Sequence, residues 1–149
     1  MYMALLHKIA TMRGLPSQTL GLFVTAIFIS AAVRFTLLFL KFSRVLKWLG
    51  SANKESPEDI TASQEQYLHK VKTALWLCNK YTPWNTECYV QAVTAKILLR
   101  RKCIPATVYI GFKKQASGKM TGHAWLRCGR LIVTGNKGHE AFQVHSYFS

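Results

Sequence analysis

Cys88, His123 and Asn136 occur in an order that suits nucleophilic catalysis. In such chemistry a thiolate attacks a carbonyl, a histidine relays the proton, and a third group holds the imidazole in the required tautomer. Cys88 lies in YTPWNTECYVQAVTAKILLRRK, residues 81–102. Thr86 is the expected N-cap, with Glu87 in a favourable first-turn position and Cys88 at the second helical position. Val90, Val93, Ile97 and Leu98 form an apolar stripe, while Lys96, Arg100 and Arg101 point outward. The helix is expected near 87–102, stopped by Pro105. Unsatisfied backbone N–H groups at its start favour the thiolate form of a nearby cysteine. Core packing of a small thiol accounts for the same residues, so Cys88 needs a partner before it means catalysis.

That partner is expected on a strand. After Pro105 the chain changes period: Val108, Ile110 and Phe112 alternate with Thr107, Tyr109 and Gly111. KKQASGKM reads as a loop, and GHAWLRC as a second strand with His123, Trp125 and Arg127 on one face. LIVTGN reads as a third. Gly129-Arg130 between them suits a type II′ two-residue hairpin loop. That register places Asn136 directly across from His123, on the same face, whereas a one-residue slip brings Gly135 there instead. Asn136 can orient the ring but carries no negative charge.

The chain has 149 residues, half of them hydrophobic, which suffices for one domain with a modest core and argues against extensive disorder. Twenty Lys and Arg against six Asp and Glu give a net charge of +14. Such an excess favours an anionic partner, whether nucleic acid, lipid surface or acidic protein. Cys78, Cys88, Cys103 and Cys128 form no CxxC pair, and no HxxxH is present, so neither a zinc site nor any other metal or cofactor is expected. They are too few for a disulfide scaffold in a chain this long and are read as reduced, cytoplasmic thiols, buried or semi-buried, with Cys128 the most exposed of the three besides Cys88. His7, His69, His139 and His145 are read as surface or core residues, His139-Glu140 being placed to line a cleft.

Twenty uncharged residues separate Arg13 from Arg34. That is the nominal length of a membrane-spanning helix, although Pro16, Ser17, Gln18 and Thr19 dilute its start. One helix is expected from Leu20 to about Leu49, carrying Arg34, Lys41, Arg44 and Lys47 on a broad shared face. This suits an interfacial or core-packing helix at least as well as a spanning one. The pattern is not that of a cleavable signal peptide. Residues 51–66, with four of the six acidic side chains, read as a loop or linker, with a helix start near Ser56-Pro57. From about Ser63 to Cys78, Tyr67, Leu68, Val71, Ala74, Leu75 and Cys78 recur at helical spacing.

The run PWNTECYVQAVTAKILLRRKCIPATVYIGFKK, then GHAWLRCGRLIVTG, resembles the leader peptidases of lasso-peptide biosynthesis, small transglutaminase-like cysteine proteases. The likeness includes Pro83-Trp84, Cys88, Gln91-Ala92, Ile104-Pro105, Gly111 and the triplet His123-Ala124-Trp125. Phe42-Ser43-Arg44 with Trp48-Leu49-Gly50 is similar to the segment those proteins carry ahead of the catalytic part, so the resemblance extends from about residue 20 onward. It implies an α+β, papain/transglutaminase-like fold: a Cys-bearing helix packed on a small antiparallel sheet. An apolar, basic N-terminal helical segment over 1–55, docking or membrane-associated, would precede a peptidase domain over 56–149.

By the same resemblance Cys88 is the nucleophile and His123 the general base and acid. The third member in that family is an Asp, but no Asp follows Asp59 here. Asn136 is the positional candidate and Glu140, the only carboxylate after Glu87, the runner-up. The implied reaction is hydrolysis at the leader–core junction of a ribosomal precursor. The implied partners are that precursor, a separate leader-binding protein and an ATP-dependent macrolactam-forming cyclase. Two other readings compete. A transglutaminase-like acyltransferase would use the same residues. A non-enzymatic basic module would bind membrane or nucleic acid through the positive charge and Trp48, Trp76, Trp84 and Trp125, although no nucleic-acid-binding motif is present.

Overall fold

A computed structural model describes residues 16–40, 42–46, 48–84 and 86–149. His7, Lys41, Lys47 and Asn85 lie outside them. Helices α1 (Ser17–Phe39), α2 (Phe42–Leu46), α3 (Ala62–Tyr81) and α4 (Cys88–Arg100) precede strands β1 (Thr107–Lys114), β2 (Met120–Cys128), β3 (Leu131–Thr134) and β4 (Gln143–Phe148). A 3-10 turn, His139–Ala141, joins β3 to β4. The strands form one antiparallel sheet in the order β3-β2-β1-β4. The fold is the expected α+β one, with the Cys88 helix packed on a small antiparallel sheet.

Helix α4 is buried on more than its expected stripe. Val90, Ala92, Val93, Thr94, Ala95, Leu98 and Leu99 are all buried, because the sheet covers one side and α1 with α3 the other. Val108, Ala124, Leu126 and Cys128 join it from the sheet; Phe23, Ala26, Val33, Val45 and Leu49 join the same core from α1, α2 and the turn after them. Leu99 is fully buried. Leu99→Ala is therefore expected to cost about 2–5 kcal/mol. The check is a lowered urea midpoint at unchanged slope.

The expected single helix from Leu20 to Leu49 divides in two. Leu40 is extended (φ −110°, ψ 140°), and the short α2 that follows places Val45 and Leu49 in the core. A straight continuation would have carried them away from it. Helix α3 begins at Thr61 rather than near Ser56. The Thr61 hydroxyl accepts from the Gln64 amide and the Gln64 side chain accepts from the Thr61 amide, a reciprocal cap.

Residues 51–60 form a loop, as the composition suggests, but one fastened to the sheet. Ser51 and Ser149 exchange backbone hydrogen bonds of 2.8 and 3.1 Å, and the Asn53 amide donates to the Tyr147 carbonyl. Arg127 ties the middle of the loop down, donating to Glu55, the Ser56 carbonyl, the Gly129 carbonyl and the Tyr109 hydroxyl.

The hairpin loop Gly129-Arg130 forms as expected, with Cys128 opposite Leu131 and Arg127 opposite Ile132. Gly129 takes φ +57°, the sign that a type II′ turn demands at this position. The register then shifts: Leu126 faces Thr134, so Val133 is an extra residue in β3. The strand stops at Thr134 because Gly135 adopts φ +71°. Asn136 is consequently not across from His123; it lies beyond the end of the strand and is exposed. Strand β4 was not anticipated from sequence. A shift in its register opposite Ile110 and Gly111 interrupts the alternation that would mark it.

Candidate active site

Cys88 is the first residue of α4, one position earlier than expected, and Glu87 is the N-cap. Thr86 does not cap the helix. Its hydroxyl instead donates to the Asn79 side-chain oxygen, tying the approach to α4 onto α3, and its carbonyl accepts from Gln91 Nε2 at 2.8 Å. Glu87 pairs with Arg34 of α1 at 3.1 Å. The first turn of α4 is thus held from α1, α3 and its own second turn. Cys88 is half-buried there among backbone N–H groups with no intrahelical partner.

The four cysteines differ sharply. Burial pushes the Cys78 thiol up despite hydrogen bonds from Ser30 and Thr82, and it pushes Cys128 up despite nearby Arg127 and Lys96. Such thiols are poor nucleophiles. Cys128 is fully buried and donates to the Pro105 carbonyl, contrary to the exposure expected beside a turn, because its strand position faces α4. Cys103, expected to be at least partly buried, is exposed instead, in the left-handed region (φ 53°) after α4. Only Cys88 combines partial access with a helix start.

His123 sits on β2 opposite Gly111 of β1. As the alternation predicts, it shares a face with Trp125 and Arg127: the imidazole stacks on Trp125 at 5.9 Å, and Trp125 stacks on Tyr109 at 5.6 Å. The Phe142 ring packs on the same imidazole at 5.0 Å. Gly111 has no side chain to intrude here; a Cβ would lie 3.0 Å from both Trp125 and Phe142.

The ring's one hydrogen bond among the described residues runs from Nε2 to the Gly135 carbonyl, at 2.8 Å. A carbonyl oxygen can only accept, so Nε2 carries the proton and neutral His123 presents an unprotonated Nδ1. The orienting acceptor is therefore a backbone group. Asn136 is exposed, and its own carbonyl is hydrogen-bonded to His139 Nδ1 at 2.8 Å. Glu140, also exposed, lies 3.4 Å from His139. His139 lines this cluster, with its ring 5.6 Å from that of Trp125.

The Cys88 helix and the His123 strand meet one residue away from each. A Cβ on Gly122 would meet the Tyr89 hydroxyl and lie 3.2 Å from Phe112, so the missing side chain leaves room for Tyr89 to reach β2. Burial, and then the neighbouring Cys88, push the Tyr89 phenol up. On the other side of His123, β2 has lost its β3 partner, and the loop from Gly135 borders the ring instead. Sequence reasoning overlooked Tyr89, Gly122 and the Gly135 carbonyl. The glycines were visible, but neither a backbone acceptor nor a missing Cβ leaves a residue-type signal.

No curated protein and no solved structure matches the chain. A family model does, over residues 31–146, an interval that contains the Cys88 helix, the His123 strand and most of β4. With well over half of its length matched, the chain belongs to the transglutaminase-like superfamily.

Proposed function

We propose that this protein is a cysteine peptidase that removes the leader from a lasso-peptide precursor, with a separate leader-binding protein delivering the substrate and an ATP-dependent cyclase acting afterwards. The observation that carries the peptidase reading is a half-buried thiol at a helix start, one residue from the contact between α4 and the strand that bears a tautomer-fixed histidine. The resemblance of the PWNTECYVQA and GHAWLRCGR segments carries the choice of substrate.

In this reading Cys88, on the side of β2 that packs on α4, and His123, on the opposite face, act on one substrate across the edge that β3 leaves open. The two side chains share no hydrogen bond in the structure. His123 Nδ1 takes the Cys88 proton, and the thiolate attacks the scissile carbonyl. The backbone N–H of Cys88 donates to the resulting oxyanion. Collapse breaks the C–N bond, and His123 returns the proton to the leaving amine of the core peptide. Water, deprotonated by the same nitrogen, then hydrolyses the thioester and frees the leader carboxylate. Throughout, the Gly135 carbonyl holds Nε2–H and stabilises the imidazolium, the role expected of Asn136 or Glu140.

Mass spectrometry of a precursor incubated with the protein and its leader-binding partner tests the reaction. Two fragments whose masses together exceed the precursor by one water mean hydrolysis, whereas transfer to an added amine means acyl transfer by the same residues. Asn136→Ala and Glu140→Gln are each expected to retain turnover within about threefold, since neither side chain holds the imidazole. A fall of about 10³-fold or more in either would restore that side chain to the triad.

A further inference from the structure

Helix α1 is apolar on both sides. Its inner stripe, Thr19, Phe23, Ala26, Ser30 and Val33, is buried against the domain. On the far side and its flank, Leu20, Val24, Phe28, Phe35, Leu38 and Phe39 form a second stripe that no other described residue covers, with Phe28 71% and Phe39 71% exposed. The only charged residue of α1, Arg34, lies off this stripe and pairs with Glu87. A helix apolar all round is ordinarily surrounded by protein or lipid, and an exposed patch of this length marks a contact surface.

We propose that the outer face of α1 seats the protein on the surface of an anionic bilayer. By length and composition α1 could cross a membrane, with a mean hydropathy of 2.2. Spanning would, however, pull Phe23, Ala26 and Val33 out of the core they share with α3 and α4. The helix therefore lies in the plane of the interface, its outer stripe among the upper acyl chains.

Charge identifies the occupant. Beside the stripe, a cleft of about 500 Å³ runs along the N-terminal half of α1, where Lys70, Arg101 and Lys102 are placed to meet lipid phosphates. Lys70 already reaches α1, donating to Gln18 at 2.6 Å. At the other end, Trp48 is exposed, the residue type favoured at the headgroup level. A second copy of the chain is a poor occupant, since each brings a net charge of +14. A protein partner would need polar groups to fix its register, and the stripe offers none; a fluid bilayer needs no register. Seating of this kind depends on α1 and its basic flank alone, not on the chemistry at Cys88.

Flotation of the full chain with vesicles tests it. Binding to phosphatidylcholine vesicles containing about one third phosphatidylglycerol is expected to exceed binding to pure phosphatidylcholine by about tenfold or more, and to fall as salt is raised. F28E/F35E should abolish flotation with an unchanged circular-dichroism spectrum, because both side chains point away from the core. Lys70→Glu with Arg101→Glu should weaken it about tenfold. Absence of flotation with anionic vesicles, or equal flotation of F28E/F35E, overturns the proposal. Retention in the bilayer after alkaline carbonate washing also overturns it in favour of spanning. A dimer that F28E/F35E converts to monomer overturns it in favour of self-association.

Discussion

On the proposed peptidase reading, Cys88→Ala is expected to lower cleavage of the precursor by about 10⁴- to 10⁶-fold while leaving the thermal midpoint nearly unchanged. The change removes one half-buried sulfur at a helix start, so little packing is lost. What disappears is the covalent step, which no other thiol of the chain can supply. Cys78 and Cys128 are buried with their thiols pushed up, and Cys103 lies at the opposite end of α4 from the site. Cys103 is nonetheless exposed and will take up alkylating reagents. Labelling should therefore use Cys103→Ser as background, in which loss of activity and modification of Cys88 are expected to proceed together. Equal cleavage by wild-type and Cys88→Ala protein would sink the nucleophile assignment.

Gly135→Ala is expected to lower kcat by about 10²-fold or more, through geometry rather than through any lost functional side chain. Gly135 has φ +71°, where an L side chain costs about 1–3 kcal/mol. The added Cβ would also collide with the Ala124 carbonyl and lie 2.7 Å from the Trp125 Cβ. Relief of that crowding moves the Gly135 carbonyl, the acceptor that holds His123 Nε2–H at 2.8 Å. With the acceptor displaced, Nδ1 is no longer fixed as the unprotonated nitrogen. The positioning role separates from simple destabilisation in the imidazole ¹⁵N spectrum, where the tautomer becomes mixed. Wild-type turnover with an unchanged histidine spectrum would refute it.

The same carbonyl explains how a chain without Asp beyond residue 59 can still orient a histidine. A neutral acceptor offers the imidazolium less stabilisation than a carboxylate would. The stacked Trp125 and the packed Phe142 ring limit the rotation that the hydrogen bond alone would permit. Orientation here is therefore shared between one backbone group and two aromatic faces.

Local patterns carried much of this protein by themselves. Helical spacing from Tyr67 to Cys78, the apolar stripe after Cys88, the Gly129-Arg130 loop and the alternation through His123, Trp125 and Arg127 all appear as read, because each depends on neighbours within a few residues. Tertiary contacts decided the rest. The break at Leu40 follows from the need to bury Val45 and Leu49, and the diversion of Thr86 from cap to tether follows from the proximity of Asn79. Val133 as an extra residue in β3, with the left-handed Gly135 after it, took Asn136 out of the paired position opposite His123. Residue types identified a thiol and an imidazole. The identity of the group behind that imidazole depended on register, and the final acceptor is a main-chain oxygen, which every residue possesses and no sequence can single out.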